Sequence, residues 1–96
     1  MTLPRMDKVL GRPCETYWHL RAPSGSTVVC HLFWNKDRRE FHIGIIGAGD
    51  ELVHASRVVS PLEARDLSDD WLHNMVDHQG YEDLGVPPTY GPIDGY

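Results

Sequence analysis

The residues of this chain whose types and spacing can do chemistry include a group of carboxylates within residues 60–80. On an α-helix, residues three, four and seven apart share one side, and successive turns place their charges about 5–6 Å apart. That spacing is close to the separation of phosphates along a nucleic-acid strand, so such a line can occupy a Lys/Arg groove that binds phosphates. The alternative is a solvated helix face without a partner. The carboxylates are Glu63, Asp66, Asp70 and Asp77 in one line, with Asp69 beside them.

Four histidines form a second candidate set, because each falls on a different predicted strand. In a row across one face of a sheet, imidazoles can bind zinc or titrate together. The simplest register pairs His19 with Cys30, which breaks the row, and parallel side chains on a flat sheet do not converge on a tetrahedral metal. The sequence therefore predicts no metal site, and a metal-binding row remains an alternative. The four are His19, His31, His42 and His54.

Two short motifs resemble catalytic elements but fail on geometry. Cys30 and His31 are adjacent in a strand, so their side chains point to opposite faces and cannot act as nucleophile and base. Residues 44–49 carry three glycines, as phosphate-binding loops do, but a strand follows them instead of a helix. With no cofactor loop and no nucleophile beside a base, the sequence predicts a protein that is not an enzyme and binds no cofactor.

Aromatic and basic side chains mark the outer face of the predicted sheet, the face turned away from the helix. Tyr17, Arg21, His31 and Phe33 alternate there with core positions. Antiparallel sheets with this mixture stack single-stranded nucleic acid. The acidic chain weakens this interpretation because it repels a phosphate backbone. The other interpretation is a face covered by the C-terminal tail or by a second copy of the chain, which forms a homodimer.

The charge of the chain is unevenly distributed. The net charge is −5 at pH 7. Residues 1–39 hold seven Lys/Arg and three Asp/Glu, a net of +4, whereas residues 40–96 hold two and eleven, a net of −9. A strongly negative second half favours a partner protein with a basic surface.

Cysteine content and hydropathy indicate the cellular compartment of the protein. Two cysteines, Cys14 and Cys30, are too few for a disulfide framework and are expected to be free buried thiols. The chain lacks an apolar run of the roughly 20 residues that a membrane span needs, and its first residues lack the apolar region of a signal peptide. These observations predict a cytoplasmic protein that does not contact a membrane.

A helix is predicted over residues 60–80, because start and stop signals bracket a 3.6-residue period. Ser60 suits the N-cap, Pro61 suits the first helical position, and Glu63 completes a capping box. Gly80 can adopt the left-handed conformation that ends a helix. The apolar side lies opposite the carboxylates and is expected to dock on the sheet. It consists of Ala64, Leu67, Trp71 and Met75, with Leu72 and Val76 at its edge.

The preceding chain alternates apolar and polar residues, which predicts four strands at residues 15–22, 27–34, 39–46 and 51–59. Short turns favour sequential antiparallel pairing, so the strands are expected to form a meander. The helix then packs on the face that carries Trp18, Leu20, Cys30, Leu32, Phe41, Ile43 and Val53.

These elements together predict a single α+β domain spanning residues 1–96, in which a four-stranded antiparallel meander packs on one C-terminal helix in the order ββββα. Residues 1–14 are expected to form an N-terminal arm and residues 81–96 an irregular Pro/Gly-rich tail. The predicted function is that of a small acidic inhibitor that occludes a basic, nucleic-acid-binding surface of a partner protein, of the phage anti-defence or nuclease-immunity type. The alternatives are a single-stranded nucleic-acid-binding sheet and the histidine-row metal protein.

Overall fold

The fold is an antiparallel sheet of four main strands and a short fifth strand, packed against one C-terminal helix. It is seen in a computed structural model that describes residues 12–47, 49 and 51–85. The predicted α+β class and the meander are confirmed. Most of the predicted arm and of the predicted tail lies outside the described residues.

The sheet follows the order β4-β3-β2-β1-β5, and each pair of neighbours is antiparallel. The first strand begins within the predicted arm, three residues before the expected start at residue 15. The fifth strand lies in the predicted tail and pairs with Leu20 and Arg21 at the edge of the first. The strands are β1 (Arg12–Arg21), β2 (Thr27–Asn35), β3 (Glu40–Ile46), β4 (Leu52–Val58) and β5 (Glu82–Asp83).

Two register shifts in β1 change which side chains reach the core. The shifts lie between Pro13 and Glu15 and between Thr16 and Trp18. Each leaves one extra residue without a partner on β2, and a β-bulge of this kind re-aims the side chain of the inserted residue. Tyr17 therefore packs against the helix-side core. The prediction that it lies on the outer face is wrong, because strict alternation ignores the bulge.

The main core lies between the sheet and the helix. Six of the seven positions predicted for this face are buried, and the exception is Val53, whose side chain is 54% exposed. A register shift opposite Ile45 and Ile46 displaces Val53 from the alternation. His54 takes the helix-side position instead, with its ring 4.8 Å from that of Trp71.

The helix α1 (Pro61–His73) begins as predicted. The Ser60 side chain accepts a hydrogen bond from the backbone N–H of Glu63 at 3.2 Å, and Pro61 occupies the first turn. Ala64 and Ser68 are buried against the sheet. The indole of Trp18 donates to the Ser68 carbonyl at 2.9 Å, which ties the helix backbone to β1.

The end of the helix departs from the predicted α-helical period. Residues Asn74–His78 form a π-helical segment, in which hydrogen bonds span five residues instead of four. The chain then leaves the helix through Gly80, whose φ of 75° lies in the left-handed region expected for it. Met75 is buried within the π-helical segment, so the apolar side continues to contact the sheet.

Candidate functional site

The carboxylates that the sequence singles out lie in solvent. We name the acidic helix surface as the side of α1 opposite the buried Ala64 and Ser68. At a rise of about 1.5 Å per residue, its outermost members are about 10 Å apart along the helix axis. Because the helix is capped and anchored to the sheet, these side chains project from a rigid element. The surface consists of Glu63, Asp66, Asp69 and Asp70, all exposed.

The acidic helix surface has no cation of its own among the described residues. Arg65, the one arginine of α1, directs its Nη2 to the Glu15 Oε1 on β1 at 3.7 Å. Its charge therefore lies at the contact between the helix and the sheet. None of the ion pairs within the described part of the chain involves Glu63, Asp66 or Asp70. Four carboxylates close together without a counter-charge produce a negative potential that a basic partner can relieve.

Asp77, the fifth predicted carboxylate, is exposed but lies apart from this surface. It belongs to the π-helical segment, and a π turn holds more residues than an α turn. Asp77 is consequently rotated out of the line that the α-helical period predicts. Its Oδ2 also lies 3.6 Å from the Nδ1 of His73, four residues earlier, so it has a partner when that imidazole is protonated.

An exposed apolar side chain borders the acidic helix surface, and the sequence analysis did not single it out. Leu62, on α1, is 67% exposed. Leu62 lies one helical turn before Asp66, at the edge of the carboxylates. A signal for Leu62 was present, since it falls outside the apolar side defined by Ala64 and Trp71. An apolar residue amid carboxylates matches the composition of protein-binding surfaces.

The outer face of the sheet offers little accessible surface at its centre. Phe33 is fully buried, and Ile46 is 6% exposed. His31 contacts Phe33 edge-on, with ring centroids 5.7 Å apart, and its Nδ1 lies 3.1 Å from the Thr16 hydroxyl. Burial lowers the pKa of His31 below its usual value of 6.5. A ring with no exposed area cannot stack a nucleobase.

The other two residues of the predicted nucleic-acid face lie elsewhere. Arg21 is exposed at the β1 edge, where its Nη1 is 3.4 Å from the Glu82 carboxylate. Tyr17 lies on the helix side, and its hydroxyl donates to Glu15 Oε2 at 3.2 Å. Burial, with the neighbouring Glu15 charge, raises the Tyr17 pKa. The structure therefore does not bring Tyr17, Arg21, His31 and Phe33 together on one exposed platform.

The four strand histidines do not form a row. His54 faces the helix, whereas His31 and His42 lie on the outer face, opposite Gly44 and Phe33 of the neighbouring strands. His19 pairs with Val29 and not with another histidine. Burial lowers the pKa of His42, against the opposing influence of Glu40. Within the described residues, no group of three or more His, Cys, Asp or Glu side chains is arranged to hold a metal ion.

Both cysteines are buried free thiols, as expected. Burial and the Glu15 charge raise the pKa of Cys14 to about 11, and burial raises that of Cys30 as well. The Cys14 thiol also donates to the Leu32 carbonyl, with a sulfur–oxygen distance of 3.3 Å. Both groups are therefore protonated at neutral pH, and a protonated thiol is a poor nucleophile.

The described part of the chain contains no helix with the length and apolar character required to cross a bilayer. Comparisons with protein-family models, with curated protein sequences and with solved structures find no match to this chain.

Proposed function

We propose that this protein binds a partner protein through the acidic helix surface and thereby covers a basic, nucleic-acid-binding surface of that partner. An inhibitor of this kind matches the phage anti-defence or nuclease-immunity type. The observation that carries the proposal is the cluster of four exposed carboxylates without a cation of their own among the described residues. We further propose the cytoplasm as its compartment, because free buried thiols suit a reducing environment.

The physical basis of the binding is a charge pattern held on a rigid scaffold. Asp66 and Asp70 are one turn apart, about 6 Å along the helix axis, which is near the separation of neighbouring phosphates. The carboxylates project from a helix that is capped at Ser60 and held to the sheet by the Trp18 indole. A preorganised surface loses little conformational entropy on binding, and complementary charge accelerates association.

Leu62 supplies what a purely charged surface lacks. Rim charges steer association but contribute little affinity, whereas an apolar side chain buried at the centre of an interface contributes more. Leu62 is two-thirds exposed and adjoins Glu63 and Asp66. We therefore expect the basic surface of the partner to carry an apolar pocket beside its Lys/Arg residues.

The test compares wild type with two variants of equal net charge. The binding variant carries Asp66→Lys and Asp70→Lys on the acidic helix surface. The control variant carries Asp37→Lys and Glu51→Lys, two exposed positions outside the helix. Each tagged protein is used to capture partners from the native host, and captured proteins are quantified by mass spectrometry. The captured partner is then purified and assayed for DNA or RNA binding with and without wild-type protein.

We expect the partner to bind wild type and the control variant, to lose at least tenfold in affinity for the binding variant, and to be displaced from nucleic acid by wild type. The affinity should fall as salt rises, because exposed charges are screened within about 10 Å at 0.1 M salt. Equal binding of the helix variant and wild type at moderate salt would contradict the proposal. Far-UV circular dichroism of each variant confirms that the fold is retained.

A further inference from the structure

Among the described residues, β4 forms an edge of the sheet without a pairing strand on its outer side, whereas the opposite edge is partly paired. Within the described residues β4 pairs only with β3, whereas the edge of β1 is partly covered by β5. Two of the three large hydrophobic side chains that the described chain exposes lie on this edge or directly after it, Val53 and Val59, and the third, Leu62, lies on α1. An unpaired strand edge with apolar side chains is a template for another strand.

We propose that β4 pairs antiparallel with β4 of a second copy of this chain, with Ser56 on the two-fold axis, so that the two sheets continue as one. The contact involves neither the outer face, where the sequence analysis placed a homodimer, nor the acidic helix surface. The inference is thus independent of the proposed function.

The register follows from the exposed valines. With Ser56 on the axis, Val53 of one copy lies opposite Val59 of the other, and the same contact repeats across the axis. Directly opposed residues of an antiparallel pair must share a face of the sheet. This register satisfies that requirement, since His54 meets Val58 on the helix side and Ala55 meets Arg57 on the outer side.

Moving the two-fold axis by one residue separates the two exposed valines. If Ala55 lay on the axis, Val53 would face the Arg57 guanidinium, and Leu52 would face Val58 from the opposite side of the sheet. Moving the axis by one residue shifts the pairing by two residues, so His54 would meet Ser56 on the same side of the sheet, and the mismatch between Leu52 and Val58 arises from the bulge at Val53. The Ser56-centred register is therefore the one that buries both exposed valines.

Two grooves flank β4 and are joined by the same pairing. One groove, of about 300 Å³, is lined by Val53, His54 and Trp71 among others. The second, also of about 300 Å³, is lined by Arg57 and Val59 with neighbouring residues. Each Val53–Val59 contact thus lies where the first groove of one copy meets the second groove of the other, and both grooves lose solvent.

The self-complementary register identifies a second copy as the occupant, and the charge of the edge does not oppose it. The chain carries a net charge of −5, so most surfaces of two copies repel each other. The one charged residue within β4 is Arg57, whose Nη2 lies 3.8 Å from the Glu40 carboxylate of its own chain. The edge is therefore close to neutral, and Arg57 faces Ala55 of the other copy instead of a like charge. The strand also lacks the Lys and Pro residues that protect exposed edges from pairing.

Light scattering and sedimentation of the purified full chain measure the stoichiometry. We expect a mass twice the 10.9 kDa of one chain, falling to one chain on dilution. Val59→Lys should yield monomers at every concentration, because a lysine replaces half of each valine contact at a position that is 82% exposed and outside the core. Ser24→Lys, an equal charge change in the exposed β1–β2 turn, should leave the dimer intact. Monomers in the wild type, or dimers in Val59→Lys, overturn the proposal.

Disulfide crosslinking tests the register. Ser56→Cys places two thiols directly opposite each other, with Cβ atoms about 4.5–5.5 Å apart, whereas Ala55→Cys places them on a diagonal about 7–8 Å apart. Mild oxidation should crosslink most of Ser56→Cys and at least tenfold less of Ala55→Cys. Cys14 and Cys30 are buried and do not compete. Equal crosslinking of the two variants, or none in Ser56→Cys, overturns the Ser56-centred pairing.

Discussion

The acidic helix surface and the outer face of the sheet were both predicted as candidate binding surfaces, but the two differ in how far their residues are exposed. Glu63, Asp66 and Asp70 are exposed. Phe33, at the centre of the outer face, has no exposed area. Both predictions rest on periodicity, one on the 3.6-residue period of a helix and the other on the two-residue period of a strand. The two patterns differ in what they say about exposure.

The difference lies in the chemistry of the residues. A column of carboxylates indicates a solvent-exposed side of the helix, because burying unpaired charges costs several kcal/mol. Phenylalanine is usually buried and histidine is intermediate, so Phe33 and His31 do not require an exposed face. The helix pattern therefore determines which side is exposed, whereas strand alternation determines only which residues share a side. The following predictions test this contrast, beginning with the largest effect.

Truncating a side chain on the outer face should lower the free energy of unfolding far more than truncating one on the acidic helix surface. Phe33→Ala removes a fully buried ring, and we expect a loss of about 3–5 kcal/mol in the free energy of unfolding. Asp66→Ala, at an exposed position, should change it by less than about 0.5 kcal/mol. Urea unfolding at constant pH measures both values. A loss below about 1 kcal/mol for Phe33→Ala would contradict the burial and restore the outer face as an accessible platform.

The stability of the protein should fall as the pH drops below about 6.5, because a buried histidine on the outer face becomes protonated more readily in the unfolded chain. Burial lowers the pKa of His31 in the folded state below its usual value of 6.5. The unfolded chain then binds more protons, so the contribution to stability is complete above pH 6.5 and is lost as the pH falls toward the folded pKa. Urea unfolding at intervals of roughly half a pH unit between pH 5 and pH 8 measures the slope of the free energy of unfolding against pH.

His31→Gln should reduce that slope, because the variant removes one titrating group from the outer face. His78→Gln, at the exposed end of the π-helical segment, controls for the loss of an imidazole as such. An unchanged slope in His31→Gln would show that this side chain is hydrated in the folded state. His42, whose pKa burial also lowers, contributes to the slope that remains.

Removal of the helix cap should produce a smaller loss of stability, located in the first turn of the helix that carries the acidic helix surface. Ser60→Ala deletes the oxygen that accepts the Glu63 N–H at 3.2 Å, and we expect a loss of about 1 kcal/mol. Ser60→Asp restores a capping oxygen and should recover most of this loss. Thermal and urea unfolding measure the effect, and equal stability of Ser60→Ala and wild type would show that the first turn is frayed.

The helix was predictable from sequence because its signals are local. Ser60, Pro61 and Gly80 mark its start and its end, and the 3.6-residue period separates Trp71 from the carboxylates. The acidic helix surface follows from that period, except at Asp77, where the π-helical segment interrupts it. Such an interruption has no residue signature that single-sequence reasoning can detect.

The sheet was predictable in its order but not in its details. Short turns determined the meander, whereas the bulges in β1 and β4 did not show in the alternation. Those bulges moved Tyr17 to the core, exposed Val53 and turned His54 toward the helix. A bulge inserts one residue whose effect depends on the partner strand, so it is a property of the pairing and not of one strand alone.

The smallest predicted effect is a gain in stability from a change that weakens partner binding. Asp66 and Asp70 are like charges four residues apart on α1, an arrangement that costs a helix about 0.2–0.5 kcal/mol. Asp70→Asn removes this repulsion, and Asp70→Lys replaces it with attraction to Asp66, so the two should stabilise the protein in that order by up to about 0.5–1 kcal/mol.

The same series, repeated in an Asp66→Asn background, should give little gain, because the carboxylate that causes the repulsion is absent. High salt should also remove the gain in the original background. Urea unfolding measures the stability of each variant, and the capture assay measures its binding. A surface on which native residues are worse for folding than their replacements, yet required for binding, is one maintained for a partner. If Asp70→Lys neither stabilises the fold nor weakens capture, the four carboxylates are a solvated helix face, and the contrast with the outer face concerns folding alone.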